Sequence, residues 1–212
     1  MNTVRLIVGP IECNCYLVQD EVSGAGLVID PGGDAEKILA ACERERLKPL
    51  YIVNTHGHGD HIGADGELKR AHPSARLCIG WRDEKMLSKP VKNLSPMLGM
   101  IVRAPRAEVL LRAGDRLELG SCVLRVLETP GHTPGSVCLL AERERPMVLF
   151  CGDLVFQGGV GRTDLPGGDS LALRQSIEHN ILNLPDDTVL LPGHGAATTV
   201  GEEKQSGILL AL

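Results

Sequence analysis

The chain has 212 residues with 43% hydrophobic content, enough for one substantial core, and we expect a single domain over residues 1–212. Its formal net charge of −5 argues against a nucleic-acid partner, and no stretch reaches the roughly 20 apolar residues of a membrane span. Seven cysteines, an odd number at low density, and an N-terminus without the apolar region of a signal peptide favour a cytoplasmic location.

The first quarter of the chain predicts strands around one helix. Apolar runs predict four strands, at 3–9, 14–19, 25–29 and 50–53. Asp34 is expected to cap a helix that runs to about Arg46. The last of the four strands is short and buried, and it delivers a histidine-rich loop at its carboxyl end. Ligand sites of α/β layers usually lie at such strand ends.

That loop reads Thr55-His56-Gly57-His58-Gly59-Asp60-His61 and places four potential metal ligands within six residues. His56 and His58 point the same way from an extended segment, so they can chelate one ion. Asp60 and His61 follow a bend and can face a second ion close to the first. A zinc site on a helix would instead require ligands at i and i+4. The loop therefore predicts metal binding.

Beyond the loop, helices are expected over 62–71 and 81–87, with a strand over 76–79 between them. Residues 89–105 form the least regular segment, and we expect a packed loop there rather than a flap or a partner surface. Apolar runs predict six further strands, at 108–111, 116–119, 122–128, 136–141, 147–150 and 188–191. Asp169 is expected to cap a helix over 170–182.

Three further candidate ligands share one context, in which an apolar strand ends and the residue lies in a turn rich in Gly or Pro. They are His132, Asp153 and His194. With the loop they make five His and two Asp. That number is too large for one tetrahedral zinc ion but suits two ions that share a bridging carboxylate. Cys13 and Cys15 are expected to be buried strand thiols, and Cys151 is not expected to be a ligand.

The motif His56-x-His58-x-Asp60-His61, followed by these three residues, resembles the metallo-β-lactamase superfamily. The finer resemblance is to its short bacterial glyoxalase II-like hydrolases. It also rests on four segments: Ile29-Asp30-Pro31-Gly32, Thr129-Pro130-Gly131-His132-Thr133-Pro134-Gly135, Gly161-Arg162-Thr163-Asp164 and Leu191-Pro192-Gly193-His194-Gly195. The resemblance implies an α/β fold, a four-layer αββα sandwich with the metals at one edge of its two sheets.

The resemblance also implies roles for the ligands. A first ion would be held by His56, His58 and His132. A second would be held by Asp60, His61 and His194, and Asp153 would bridge the two. Zinc is the expected metal, with iron or manganese as alternatives. A hydroxide generated between the ions would attack a substrate carbonyl, with Asp60 as the candidate catalytic residue that orients it.

Three other residues are candidates for supporting the ligands or contacting substrate: Asp30, Arg162 and Lys204. Asp30 is explained equally well as a turn-forming residue before Pro31. Arg162 is better explained by a structural ion pair with Asp164.

The implied function is a metal-dependent thioester hydrolase that acts on S-D-lactoylglutathione or a related small-molecule thioester. The alternatives are a persulfide dioxygenase with one iron, and a lactonase or β-lactamase of the same fold. The hydrolase is favoured because Pro192-Gly193-His194-Gly195 differs from the Ala-His-Asp segment of those dioxygenases. We do not expect the C-terminal helical domain that contacts glutathione in full-length glyoxalase II proteins. A homo-oligomer is left open.

Overall fold

The protein is described by a computed structural model that covers residues 1–207 and Leu209. The remaining residues of the expected 1–212 domain lie outside this description. The first of its two large sheets has six strands in sequence order: β1 (Asn2–Val8), β2 (Cys13–Gln19), β3 (Ala25–Ile29), β4 (Lys48–Asn54), β5 (Arg76–Gly80) and β6 (Val109–Leu111). Strands β1 to β3 pair antiparallel, and β3 to β6 pair parallel.

The second sheet also has six strands. Its members are β7 (Arg116–Leu119), β8 (Cys122–Glu128), β9 (Val137–Ala141), β10 (Val148–Gly152), β13 (Val189–Pro192) and β14 (Thr198–Thr199). Their spatial order is β14-β13-β10-β9-β8-β7, with β10 and β13 parallel. A small separate hairpin consists of β11 (Val155–Phe156) and β12 (Gly159–Val160).

The helices are short and lie between the strands in sequence. They are α1 (Ala35–Arg44), α2 (Gly59–Ile62), α3 (Asp65–Ala71), α4 (Glu84–Ser88), α5 (Pro90–Asn93), α6 (Ser170–Asn180) and α7 (Val200–Gln205), with a 3₁₀ helix at Ser95–Leu98. No helix in the described range is long and apolar enough to cross a membrane.

Buried apolar residues form three layers of core, which confirms the expected four-layer αββα sandwich. Side chains alternate along each strand, so neighbouring residues enter different layers: Ile29 joins the core between the sheets, whereas Val28 faces α1 and α3. On the far side, Leu149 and Leu190 pack with residues of α6. Burial on both faces explains why the central strands read as continuous apolar runs.

Asp34 occupies the predicted N-cap position of α1, but its side chain does not cap the helix. Asp34 adopts a left-handed conformation with φ 49°, and its side chain forms no cap hydrogen bond. Its carboxylate instead accepts the Gly9 N–H at 3.0 Å, which ties the start of α1 to the turn after β1. The helix also ends at Arg44, because Arg46 has φ 53° and leaves the helical conformation. Asp169, by contrast, caps α6 as predicted by accepting from Ala172 N at 3.0 Å.

Among the predicted helices and loops, four segments differ in detail. The helix over 62–71 is divided into α2 and α3, since Ala64 N donates at 2.8 Å to Pro31 O in a neighbouring loop. The helix over 81–87 begins only at Glu84. Residues 89–105 contain two short helices, and the loop is packed as expected: the buried Asn93 donates to Met86 O and Val102 O, each at 3.0 Å. The helix over 170–182 ends two residues early, at Asn180.

Candidate metal centre

The structure brings all seven predicted ligands to one end of the two sheets. Each ligand-bearing loop follows the carboxyl end of a strand. The loop with His56 follows β4, His132 follows β8, Asp153 follows β10, and His194 follows β13. Within this group, two sets of donor atoms form, one around His58 and the other around His61.

The first set is a triad of buried imidazoles. The Nδ1 atom of His58 lies 3.0 Å from His56 Nε2 and 3.0 Å from His132 Nε2. The Nδ1 atom of His132 donates to Arg162 O at 2.8 Å, which leaves a lone pair on His132 Nε2.

The tautomer of His56 follows from its neighbours. Thr55 Oγ1 donates to Asp30 Oδ2 at 2.7 Å, so this hydroxyl can accept from His56 Nδ1 at 3.2 Å. The Nε2 atom of His56 is then also unprotonated. Two lone pairs therefore face His58 Nδ1, which can supply at most one N–H.

The second set joins a carboxylate and two imidazoles. His194 Nε2 lies 3.1 Å from Asp60 Oδ2 and 3.3 Å from His61 Nε2. His61 Nε2 is 3.4 Å from the same Asp60 oxygen. Three potential ligand atoms from two loops thus converge on one point.

Asp153 lies between the two sets. Its Oδ1 is 3.5 Å from His61 Nε2, and its Oδ2 is 3.6 Å from His132 Nε2. Within the described structure, Asp153 Oδ1 is buried without a hydrogen-bond partner. A buried carboxylate oxygen without a partner is costly unless a cation satisfies it. The carboxylate therefore has the placement of a bridging ligand.

The electrostatics of the two sets differ. Burial, reinforced by neighbouring imidazoles, lowers the pKa of His56 well below its usual range and that of His58 to about 3. Burial also acts against a charged His61, but the negative groups around it, including Asp60 and Asp153, raise its pKa well above the usual value. The His56 and His58 imidazoles are therefore neutral at neutral pH, whereas the carboxylates around His61 favour a positive charge on that ring.

The donor set fits divalent cations. Unprotonated imidazole nitrogens converge in one set, imidazoles and a carboxylate converge in the other, and a buried oxygen between them has no hydrogen bond. Histidine nitrogen and carboxylate oxygen are the ligands that zinc and iron accept.

Asp30 supports a ligand directly. Its Oδ2 lies 3.1 Å from Nδ1 of the fully buried His61, which directs the Nε2 of that ring toward Asp60 and Asp153. The other oxygen, Oδ1, accepts Thr55 N at 2.7 Å. The contacts of Asp30 therefore go beyond those of a turn residue before Pro31.

Asp83 has a supporting role that the sequence did not reveal. Its Oδ2 accepts from Gly57 N at 3.0 Å and from Thr133 Oγ1 at 2.6 Å, and its Oδ1 accepts from Gly135 N at 2.8 Å. It thereby joins the loop of His56 and His58 to the loop of His132. No spacing relative to the histidines marks it in sequence.

Asn14 and Tyr16 hold the His194 turn from the other sheet. Asn14 Nδ2 donates to Pro192 O at 3.0 Å and Gly195 O at 2.9 Å, and Tyr16 Oη donates to Pro192 O at 2.8 Å. The sequence feature that could have revealed this role is a polar Asn inside a mostly apolar strand, because a buried amide requires hydrogen-bond partners.

Close approach requires glycine beside the ligands. A Cβ at Gly193 would lie 2.3 Å from Asp153 Oδ1 and 2.7 Å from His61 Cε1. A Cβ at Gly32 would lie 1.7 Å from Asp60 O. A side chain at Gly193 or Gly32 would therefore displace residues of the metal site.

A cavity of about 270 Å³ opens onto the ligands. Its polar wall includes His58, Asp60 and Arg162, and its apolar wall includes Ile11 and Met97. We call it the metal pocket.

The remaining candidates lie at different distances from it. Arg162 lines the metal pocket while forming a two-pronged ion pair with Asp164, at 2.7 and 2.8 Å. Lys204, in α7, is not among the residues that line the pocket and pairs with Asp186 at 2.7 Å. Cys13 is buried with Sγ 3.6 Å from His61 Nδ1, on the side of the ring away from the Asp60 oxygen.

Comparisons with known proteins agree on the fold. The chain matches the model of the metallo-β-lactamase superfamily over residues 8–194. It is 35% identical to the hydroxyacylglutathione hydrolase GloC of Haemophilus influenzae over 216 residues, covering 99% of this chain and 98% of that protein.

Two solved structures are also similar. BLEG-1 B3 metallo-β-lactamase superposes with a TM-score of 0.90 at 36% identity, covering 96% of this chain and 97% of that one. TTHA1623 in a di-iron-bound form superposes with a TM-score of 0.84 at 36% identity, covering 96% and 98%. The names of these proteins point to different reactions and metals.

Proposed function

This chain belongs to the metallo-β-lactamase superfamily, and we propose that within it the protein is a dinuclear metal-dependent thioester hydrolase of the glyoxalase II type. Its substrate is S-D-lactoylglutathione or a related acyl thioester. The observation that carries the proposal is the position of Asp153, whose two carboxylate oxygens face different sets of ligand atoms. The similarity to GloC supports the choice of reaction.

The proposed ligand sets follow the two clusters. One divalent ion would be held by His56, His58 and His132, and the other by Asp60, His61 and His194, with Asp153 shared. Ions held there would polarise a carbonyl and lower the pKa of water to near neutrality. We propose zinc, with iron or manganese as alternatives.

The chain's own residues supply orientation at this site. Asp60 lines the metal pocket and is 8% exposed, so it can reach both the ligands and a bound substrate. Burial acts to raise its pKa, but His61 and His194 outweigh this and lower the pKa below the usual range. Asp60 is therefore ionised at neutral pH and can accept a proton or hydrogen bond from the attacking water.

The cysteines do not provide a competing nucleophile. All seven are buried and free. Burial raises the pKa of every one of these thiols, for example to about 12 for Cys138 and well above the usual value for Cys151. A covalent route needs an accessible thiolate.

The alternative reactions place different demands on the site. A persulfide dioxygenase with one iron needs only two His and one carboxylate as ligands. The convergence of all seven donors, with Asp153 between the sets, favours two ions. A β-lactamase or lactonase would use the same ions on another carbonyl, and the similarity to BLEG-1 keeps that reaction as the comparison to test.

Metal analysis combined with three substrate assays tests the proposal. Protein purified without added metal should contain two equivalents of divalent metal. It should hydrolyse lactoylglutathione faster than it oxidises glutathione persulfide or opens a β-lactam. One equivalent at full loading, together with oxygen-dependent persulfide turnover, would replace the hydrolase by the dioxygenase.

A further inference from the structure

A second cavity lies beside the metal pocket and has a different chemical character. Its volume is about 340 Å³, and its lining includes Arg82, Lys85, Val91, Lys92, Pro134 and Pro166. We call it the basic recess. Three of its nine lining residues are cations and one is a carboxylate, on a chain whose formal net charge is −5.

The three cations are free to bind an anion. In the described part of the chain, neither Lys85 nor Lys92 forms a side-chain ion pair, and Arg82 stacks at 4.7 Å on the ring of Trp81 instead of meeting a carboxylate. Nearby arginines behave differently, because Arg106 lies 3.6 Å from Glu84 and Arg162 pairs with Asp164.

The one carboxylate in the wall of the recess does not neutralise it. Asp83 is fully buried, and its two oxygens accept three hydrogen bonds from the metal-site loops, from Gly57 N, Thr133 Oγ1 and Gly135 N. Its oxygens are therefore directed away from a ligand in the recess.

The two cavities share the same three segments as walls. Lys92 lines the recess and the adjacent Asn93 lines the metal pocket. Likewise, Pro166 lines the recess and the adjacent Leu165 lines the metal pocket. Pro134 follows His132 by two residues, so their Cα atoms lie at most roughly 7 Å apart.

The adjacency of the two cavities suits a small thiol that carries charge. In a peptide-like thiol such as glutathione, the carboxylates belong to residues adjacent to the one with sulfur, so sulfur and carboxylate can occupy neighbouring cavities. A thioester carbonyl in the metal pocket would therefore leave the anionic end of its thiol at the basic recess. Cations that are not already paired with a carboxylate of the protein can bind a carboxylate or phosphate group of a ligand.

We propose that the basic recess binds the anionic end of the thiol from which the acyl group is cleaved, through Arg82, Lys85 and Lys92. This inference rests on the proposed thioester hydrolysis and names its substrate class: thioesters of small thiols that bear carboxylate or phosphate. None of the three cations lines the metal pocket, so the recess acts on binding rather than on the chemical step.

The test compares one acyl group on three thiols: glutathione, with carboxylates on the residues adjacent to the one with sulfur; coenzyme A, with phosphates at the end of a much longer arm; and N-acetylcysteamine, without charge. The variant is Lys85→Gln/Lys92→Gln. The matched control is Lys48→Gln/Arg143→Gln, which removes two exposed charges, one at the first residue of β4 and one in the turn before β10, away from the strand ends that lead to the metal site. All four residues are exposed, so folding should be preserved.

We expect the recess variant to lower kcat/KM for an anionic thioester by about tenfold, mainly through KM, since each exposed charge contributes up to roughly 1 kcal/mol. The neutral thioester and the control variant should be unaffected. The anionic thiol that shows the larger loss identifies carboxylate or phosphate as the bound group. Equal losses for the neutral thioester, or no loss relative to the control, would overturn the recess as a binding site.

A binding measurement separates this inference from the proposed function. Free glutathione and free coenzyme A are titrated calorimetrically into metal-loaded wild type and variant. Binding that weakens in the variant, without hydrolysis of any thioester, supports the recess and refutes the hydrolase. Hydrolysis that is insensitive to the variant supports the hydrolase and refutes the recess. Absence of both hydrolysis and binding refutes both.

Discussion

The Oδ2 atom of Asp30 lies 3.1 Å from Nδ1 of His61, and both side chains are buried. This contact sets the orientation of the imidazole, because the ring nitrogen that meets Asp30 is then unavailable to a metal. The opposite nitrogen, Nε2, is left facing Asp60 and Asp153. The geometry of the second ligand set therefore depends on a residue outside it.

Replacing this carboxylate should weaken the second site. In Asp30→Asn, the amide cannot stabilise the His61 tautomer as a carboxylate does, and we expect metal affinity at that site to fall by roughly 10–100-fold. Competition with a chromogenic chelator measures both sites. Asp164→Asn is the control, since Asp164 is exposed and its ion pair among the described residues is with Arg162. Unchanged affinity in Asp30→Asn would mean that the contact does not tune the ligand.

The shared position of Asp153 predicts an unequal effect of removing ligands. Asp153→Ala should lose more bound metal than His194→Ala, because Asp153 faces both sets and His194 faces one. Elemental analysis of the two variants at equal chelator concentration gives the comparison. Equal losses, or a single equivalent in fully loaded wild type, would contradict the dinuclear assignment.

If bound metal activates water, thioester hydrolysis does not need a cysteine. Cys151→Ser should keep kcat/KM within about tenfold of wild type, roughly 1.4 kcal/mol in activation free energy. Cys151 donates to Val155 O at 3.3 Å, and serine can make a similar bond. His58→Ala should abolish activity. A thousandfold loss in Cys151→Ser with metal still bound would point to a covalent step.

The low pKa of His58, about 3, predicts a pH dependence of stability in metal-free protein. The unfolded chain protonates this residue near its usual pKa of about 6.5, whereas the folded chain does not. Unfolding therefore takes up a proton between those values, and stability falls as the pH falls below 6.5. The loss approaches roughly 1.4 kcal/mol per pH unit.

Urea unfolding of chelated wild type and His58→Gln between pH 6.5 and 4 isolates this contribution. The free energy of unfolding of wild type should fall more steeply than that of the variant as the pH decreases. Parallel pH profiles would show that His58 is as easily protonated in the folded chain as in the unfolded one.

The same structure predicts a modest preference among thiols. The cations of the basic recess are exposed, and exposed charges contribute up to roughly 1 kcal/mol each. We therefore expect lactoylglutathione to be hydrolysed with a high KM and a preference over esters of small neutral thiols well below a thousandfold. Values of kcat/KM for one acyl group on the three thiols decide this. A preference above about a thousandfold, roughly 4 kcal/mol, would reveal a dedicated glutathione site elsewhere.

The sequence alone determined the candidate ligands and eleven of the fourteen strands in the described structure, and it missed only the two-residue strands β11, β12 and β14. Strands buried on both faces are continuous apolar runs, and strands with one more accessible face show alternation, which is why 25–29 and 122–128 respectively could be placed to the residue. His56 and His58 at i and i+2 reveal chelation by local geometry, because side chains alternate along an extended segment. His132, Asp153 and His194 were found because each follows a strand end in a Gly/Pro turn.

Only the tertiary structure decided how the ligands are supported. Asn14 meets Pro192 across 178 residues of chain, and Asp83 meets Thr133 across 50. Such hydrogen bonds depend on how the sheets and loops pack, and local sequence patterns do not predict them. Asp34 shows the same limit, because a contact with Gly9 outweighs its preference to cap the helix. Local periodicity determines which residues can be ligands, whereas packing determines which of their atoms point at a metal.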